Sequence, residues 1–149
     1  MTSPEPTGLA IDRQALTLLR HVLAAAAPEE GCALLLGEAA AGGPWWVRMV
    51  WPALNVWQPA VERRRRFALD PREQLQAQKW ARARGLQVLG AAHSHPTSPP
   101  LPSASDRRLT MAPALQLIEG CGPARRRQLQ AWWLPERGEP RPLMWRMVG

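Results

Sequence analysis

The chain predicts an α+β domain, and three observations carry that reading. Apolar residues recur at helical spacing over residues 13–26. The run "DPREQLQAQKWARARG" (70–85) has the start and stop signals of a second helix. The remaining apolar stretches are short, of strand length, and bounded by glycine and proline.

Taken in order, "MTSPEPTG" (1–8) reads as a loose tail, and residues 9–149 as one domain. Asp12 is placed to cap a helix over 13–26, with Leu16, Leu19 and Leu23 on its apolar face. Pro28 closes it. "GCALLLGE" (31–38) reads as a buried strand, and Gly42-Gly43-Pro44 as a turn. "WWVRMVWPALNV" (45–56) reads as a strand broken or bulged at Pro52. "ERRRRFALD" (62–70) is expected as a short strand whose arginines are solvated or at a rim. Asp70 then caps a helix with Pro71 at its first position and Gly85 at its stop. "LQVLGAAHSH" is a strand reaching His95 and ended by Pro96. A short helix from Ser103 follows, with strands near 114–119, 127–134 and 142–148.

Composition narrows the function. At 149 residues and 46% hydrophobic, the chain can bury a core. No apolar run approaches the 18 residues of a membrane span. "LTLLRHVLAAAA" mimics a signal peptide, but Arg20 and His21 interrupt it and Glu5 and Asp12 precede it, so an amphipathic helix and a cytoplasmic protein are expected. Two cysteines without a CxxC pair exclude a cysteine-rich zinc knuckle; Cys32 and Cys121 are expected as small core residues. The net charge of +7 is carried by arginine, with Lys79 the one lysine. Nucleic acid is the reflex partner for such a chain, yet the same bias appears in its alanine, proline and tryptophan content. The eight tryptophans are spread from 45 to 145 and are expected to fill the core and cover sheet faces.

The chemistry concentrates in "LGAAHSHPTSPPLPSASDRRL" (89–109), which holds two of the three histidines. On a strand, His93 and His95 share a face, roughly 6.5–7 Å apart along the chain, while Ser94 faces the other way. Two imidazoles aimed at one point suit a metal. Asp106 could supply a third ligand once the proline-stiffened loop turns back, leaving an open position for water, the pattern of a catalytic zinc. Other HxH chemistries fit poorly. Metallo-β-lactamases want Asp-His where Thr97 and Ser98 stand, zinc deaminases want HxE and a cysteine pair, and amidohydrolase barrels need a longer chain. An activated water needs a base, for which Glu29, Glu30 and Glu38 are candidates.

"PEEGCALLLGE", "FALDP" leading into a helix, and "VLGAAHSHPTSPPLPSASD" together resemble the JAMM (MPN+) zinc metalloprotease family over about residues 12–120. The family pattern is a glutamate at a strand start, then H-[ST]-H-P, then S-x-x-D. The resemblance implies a mixed, curved sheet flanked by helices, a cytidine-deaminase-like MPN fold. It implies His93, His95 and Asp106 as ligands of one Zn²⁺, Glu30 as general base with Glu29 the neighbouring alternative, and Ser103 as the oxyanion donor. Ala33 departs from the glycine many members carry after the cysteine. The implied activity is hydrolysis of peptide or isopeptide bonds after the C-terminal tail of ubiquitin-like proteins. The short chain is similar to stand-alone bacterial members that act on sulfur-carrier-type tails. A non-catalytic MPN scaffold that binds a partner is the alternative, and intact ligand positions argue against it. The Arg63–Arg66 run and loop 96–102 carry no assigned role from sequence.

Overall fold

The computed structural model describes residues 5–109 and 113–149. In chain order the elements are β1 (Leu9–Asp12), α1 (Arg13–Ala26), β2 (Cys32–Glu38), β3 (Trp45–Ala53), α2 (Pro71–Ala83), β4 (Gln87–Ser94), α3 (Ala104–Leu109), β5 (Ala114–Cys121), β6 (Arg127–Leu134), β7 (Arg141–Leu143) and β8 (Trp145–Val148). All the strands join one sheet in the order β7-β6-β5-β4-β2-β3-β1-β8. It is mixed: β4–β5, β1–β3 and β1–β8 are parallel, and the other neighbours are antiparallel.

Its two outer strands are consecutive in the chain, with Met144 alone between them. That connection draws the two edges together, so the sheet is curved and nearly closed. Leu9 N–H donates to the Met144 carbonyl (2.9 Å), and Trp145 Nε1 donates to the Leu129 carbonyl on β6 (3.0 Å), fastening the seam.

Each face of the sheet carries a helix. Leu16, Leu19 and Leu23 of α1 bury against Ile11, Ala33, Leu35, Leu117 and Trp133. On the other face, Ala77 and Ala81 of α2 meet Leu34, Leu36, Trp51 and Ala91. Because β2 is covered on both sides, its sequence is a continuous apolar run without alternation. Trp45 meets Trp133 edge-on inside one layer (5.4 Å between centroids) and Trp51 meets Trp80 in the other (6.0 Å), so tryptophan serves packing in both.

Most expected elements stand where the sequence places them. The Asp70 side chain accepts from Arg72 N–H (2.9 Å) at the start of α2, and Gly85 beyond its end has φ +71, a conformation that favours glycine. Several expectations need correction. Leu9–Asp12 is a strand, lying parallel to both neighbours. The bulge in β3 falls at Arg48, since Leu36 pairs with Met49 and Gly37 with Val47. Pro52 instead lies past the part of β3 that has a second neighbour, where a missing N–H leaves no ladder gap on that side. Asp12 precedes α1, but its carboxylate accepts from Trp46 Nε1 (2.7 Å) and makes no cap bond. The arginine run is a 3-10 turn (Ala60–Arg64) followed by irregular chain, started at Pro59. The single strand expected near 142–148 is split at Met144 between opposite edges.

Residues 1–4 of the expected tail lie outside the described residues, while Thr7 N–H donates to the Gly43 carbonyl (3.1 Å). Among the described residues, no helix is long and apolar enough to cross a membrane.

The packing of α1 yields a contrast between neighbours. Leu19 is fully buried and Leu18 is 43% exposed. Leu19→Ala is expected to cost about 2–5 kcal/mol and Leu18→Ala at most about 0.5 kcal/mol, measured by chemical denaturation of the purified variants.

Candidate metal centre

The site lies where β4 ends on the α2 side of the sheet. The two-residue period of β4 turns Ala91 and His93 toward that side, and Ala92 and Ser94 toward the other. Ser94 closes a reciprocal pair with Gly31: Gly31 N–H donates to Ser94 Oγ (2.8 Å), and Ser94 N–H donates to the Gly31 carbonyl (3.0 Å). His95 is one residue past the strand, yet its N–H donates to the Glu119 carbonyl of β5 (2.7 Å), so the chain stays extended and its ring returns to the His93 side.

Loop 96–102 is tied down at several points. His95 Nδ1 donates to the Pro99 carbonyl (2.8 Å), Cys121 N–H to the Ser98 carbonyl (2.8 Å), and Trp132 Nε1 to the Pro100 carbonyl (2.8 Å). Arg127 donates to the carbonyls of His95 (3.2 Å) and Pro96 (3.3 Å), and pairs with Glu119 (3.4 Å). Gly120 lets the loop lie flush: a Cβ there would stand 2.5 Å from Pro100 N and 2.7 Å from the Ser98 carbonyl oxygen. The bond from Nδ1 fixes the tautomer of neutral His95 and leaves the Nε2 lone pair facing inward.

The loop delivers α3, whose start is a reciprocal cap. Asp106 N–H donates to Ser103 Oγ (2.9 Å), and Ser103 N–H donates to Asp106 Oδ2 (2.9 Å). That same Oδ2 lies 3.1 Å from His93 Nε2 and 3.2 Å from His95 Nε2, and the two ring nitrogens are 3.1 Å apart. Glu30, just before β2, completes the group. The ligand atoms of Glu30, His93, His95 and Asp106 all lie within 4.8 Å of one another, and all four residues are buried. Among the described residues, Glu30 Oε1 has no hydrogen-bond partner.

This donor set fits a cation. Neutral His95 turns a lone pair inward, Asp106 supplies a carboxylate oxygen, and His93 Nε2 stands with them at nearly equal spacing. A tetrahedral ion with bonds of about 2.0–2.1 Å would separate its ligands by about 3.3 Å. The separations here are 3.1–3.2 Å.

Electrostatics separates the two carboxyls. Burial pushes Glu30 up to about 8, a rise that the charge of Asp106 adds to and that of His95 moderates. Burial would raise Asp106 too, but in the metal-free protein, where the Nε2 atoms facing it carry protons rather than lone pairs turned to a cation, hydrogen bonds from His93 and His95 outweigh it and hold Asp106 well below the ordinary range. Burial lowers His93. It would also lower His95, where bonds to Asp106 and the Pro99 carbonyl prevail and the net shift is upward. Cys32 is driven to about 12 by burial and by the Glu30 charge, an inert core thiol as expected from sequence.

Of the expected site residues, the structure brings Glu30, His93, His95 and Asp106 together and places Ser103 one hydrogen bond away. Glu29 is outside the group, and Glu38 accepts from Arg48 Nε (3.1 Å) at the far end of β2. Three supporting residues escape a reading of the sequence for ligands. Phe67, the chain's one phenylalanine, stacks on the His93 ring (4.3 Å between centroids, 21° between planes). Arg127 holds the His95 carbonyl. Asn55 contacts the backbone of Glu30. "FALDP" was the one available signal, for Phe67.

A buried glutamate, two histidines and an aspartate, gathered at the end of a central strand in a nearly closed mixed sheet, define a hydrolase of the JAMM type. The chain belongs to the family of prokaryotic homologs of the JAB domain, whose pattern matches residues 12–135. A desampylase of Haloferax volcanii is 33% identical over 119 residues, covering 78% of this chain and 81% of that protein. A desampylase of Pyrococcus furiosus is 34% identical over 74 residues, about half of each chain. The solution structure of a Desulfitobacterium hafniense protein superposes with a TM-score of 0.81 at 29% identity, covering 94% of this chain and 92% of that one. A Salinibacter ruber solution structure gives 0.67 at 31% identity, covering 93% and 92%.

The raised Glu30 has a consequence in metal-free protein. Between the ordinary carboxylate range near 4.5 and about 8, the folded chain keeps a proton that the unfolded chain has released. Stability therefore falls as pH rises through that window. In chelator, Glu30→Gln is expected to raise the thermal midpoint over wild type by a margin near zero at pH 4.5 that grows to its maximum above pH 8. A pH-independent difference would contradict the assignment.

Proposed function

We propose that this chain is a zinc-dependent isopeptidase that hydrolyses the amide bond following the C-terminal tail of a ubiquitin-like, sulfur-carrier-type protein. The observation that carries this reading is the convergence of His93, His95 and Asp106 beside a buried Glu30 carboxyl oxygen that has no hydrogen-bond partner among the described residues. The similarity to two proteins named desampylases supports an amide-cleaving activity on a modifier tail. An apolar cleft of about 430 Å³, bordered by Trp57, Phe67, Leu69, Ala91 and Asp106, gives such a tail room beside the site. Residues 9–149 would act as one catalytic domain in the cytoplasm.

In this proposal His93 Nε2, His95 Nε2 and Asp106 Oδ2 hold one zinc ion. Bound there, zinc supplies a Lewis acid that polarises a carbonyl and brings the pKa of water near 7. The residues do the rest. Glu30 accepts the proton of the attacking water and delivers it to the leaving amine. Ser103 Oγ spends its lone pair on Asp106 N–H, which leaves its hydroxyl hydrogen to donate to the oxygen that becomes negative. Asp106 stays ionised under its two histidines, and the Pro99 carbonyl keeps His95 in the tautomer that presents Nε2. A scaffold without catalysis would have no use for the buried Glu30 carboxyl.

Elemental analysis is expected to give about one zinc per chain, lost in His95→Ala and Asp106→Ala. On ubiquitin-like tail fusions, Glu30→Gln is expected to keep its zinc and lower kcat about 10²–10⁴-fold. Ser103→Ala should lower kcat about 10²–10³-fold with little change in KM. Zinc-free wild type after reconstitution, or full activity in Glu30→Gln, would overturn the proposal.

A further inference from the structure

Nothing that the Glu30 carboxyl itself binds fixes its aim among the described residues. The residue precedes β2 and lies outside the sheet ladder, which begins at Cys32. Its carboxyl is buried and Oε1 has no partner among the described residues, so solvation favours turning it out toward water. Something must hold the backbone that aims it inward.

The side chain of Asn55, just past β3, is placed to do so. Its Nδ2 donates to the Glu30 carbonyl (3.0 Å) and the Arg66 carbonyl (2.9 Å), and lies 3.5 Å from the Arg63 carbonyl. Its Oδ1 accepts from Trp57 N–H (3.1 Å) and Ala68 N–H (3.2 Å). The segment thus gathered returns the favour, because Glu30 N–H donates to the Arg63 carbonyl (2.7 Å). Both polar groups of the Glu30 backbone are therefore held, one by Asn55 and one by the turn that Asn55 closes. On its far side, the next residue is held by Ser94, which lies between the two histidines.

The same segment carries Phe67, next to the Ala68 N–H that Asn55 binds, and Phe67 stacks on His93. One short amide thus ties the proposed base to the ring of a proposed ligand. Only an amide does this, since the position needs donor and acceptor on one planar group; aspartate would offer acceptors alone.

We propose that Asn55 is a positioning residue, fixing Glu30 relative to the His93–His95–Asp106 group through the 57–68 segment. This gives the arginine run a role through its backbone: the carbonyls of Arg63 and Arg66 are what Glu30 and Asn55 bind. The proposal rests on Glu30 being the base.

The test uses the full chain and has two readouts. By NMR on metal-free wild type, the side-chain amide hydrogens of Asn55 and the Glu30 amide should exchange at least about tenfold more slowly than unstructured peptide. In Asn55→Asp, which keeps the acceptor side and loses the donor, the Glu30 amide should exchange at least about tenfold faster than in wild type, while core amides such as Leu35 and Leu117 hold their protection. Asn55→Ser is the second variant, with the same expectation. On tail fusions, the zinc-loaded variants should lose about 10²-fold in kcat per bound zinc with KM within about twofold. A merely structural Asn55 would lower the thermal midpoint and leave both kcat per zinc and Glu30 exchange unchanged. Unprotected Asn55 amides in wild type would also overturn the proposal, even if neither variant folds. The exchange readout needs no substrate, so a wild type that cleaves no fusion would sink the isopeptidase reading without deciding the hold of Asn55 on Glu30.

Discussion

One oxygen organises the functional end of this molecule. Asp106 Oδ2 faces His93 Nε2, His95 Nε2 and the Ser103 N–H, all at 2.9–3.2 Å. It comes from the first turn of a short helix, the histidines come from the end of a central strand, and a proline-rich loop joins them. A carboxylate kept in so dry a place is costly unless donors or a cation surround it. The loop and cap therefore have to deliver Asp106 to the histidines in a fixed pose. Each anchoring bond of loop 96–102 serves that end, and Gly120 is the close approach that allows it.

The sheet makes this precision possible. β4 is central and parallel to β5, so His95 can continue the pairing one residue past the strand, onto the Glu119 carbonyl. β2, on the other side of β4, brings Glu30 and Gly31 to the same end, where Ser94 locks the two chains. The site is thus made at the ends of adjacent rigid strands. Closure of the sheet through Met144 and the cores on both faces keep those strands from sliding.

How much was legible depends on how local each determinant is. The Asp70–Gly85 helix carries its cap, its proline and its stop within its own sequence, and it folds as read. The proposed metal ligands lie in one contiguous stretch, so a two-residue strand period and a returning loop suffice to place them together. Glu30 is remote from that stretch, and no periodicity links them; the family resemblance alone picks it from Glu29 and Glu38. β1 escapes because it is only four residues long and the three buried in succession between parallel neighbours show no alternation. The arginine run reads as a strand yet folds as a turn, because its conformation is decided by Asn55 and Pro59, outside it. Arg127 acts through tertiary neighbours that nothing in its immediate sequence names, and Phe67 is marked only by the "FALDP" of the family resemblance.

The arrangement also sorts the two carboxyl groups by chemistry. Two acids within 4.8 Å of one another would ordinarily compete for one proton. Here the donors are distributed unequally. Without a metal, Asp106 receives the N–H groups of two rings and of a backbone amide, and is held ionised; Glu30 has an oxygen with no partner among the described residues, and burial holds its proton on. Environments that push two acids apart assign their roles. The acid held ionised suits the neutralising of a cation, and the acid whose proton is near balance suits moving one. A dication in the group would draw Glu30 back down toward ionisation at neutral pH, the state a base requires. The Asn55 bonds matter in that light: a carboxyl that alternates between protonated and charged states in a dry pocket gains no steady partner there, so its aim must be set from the backbone.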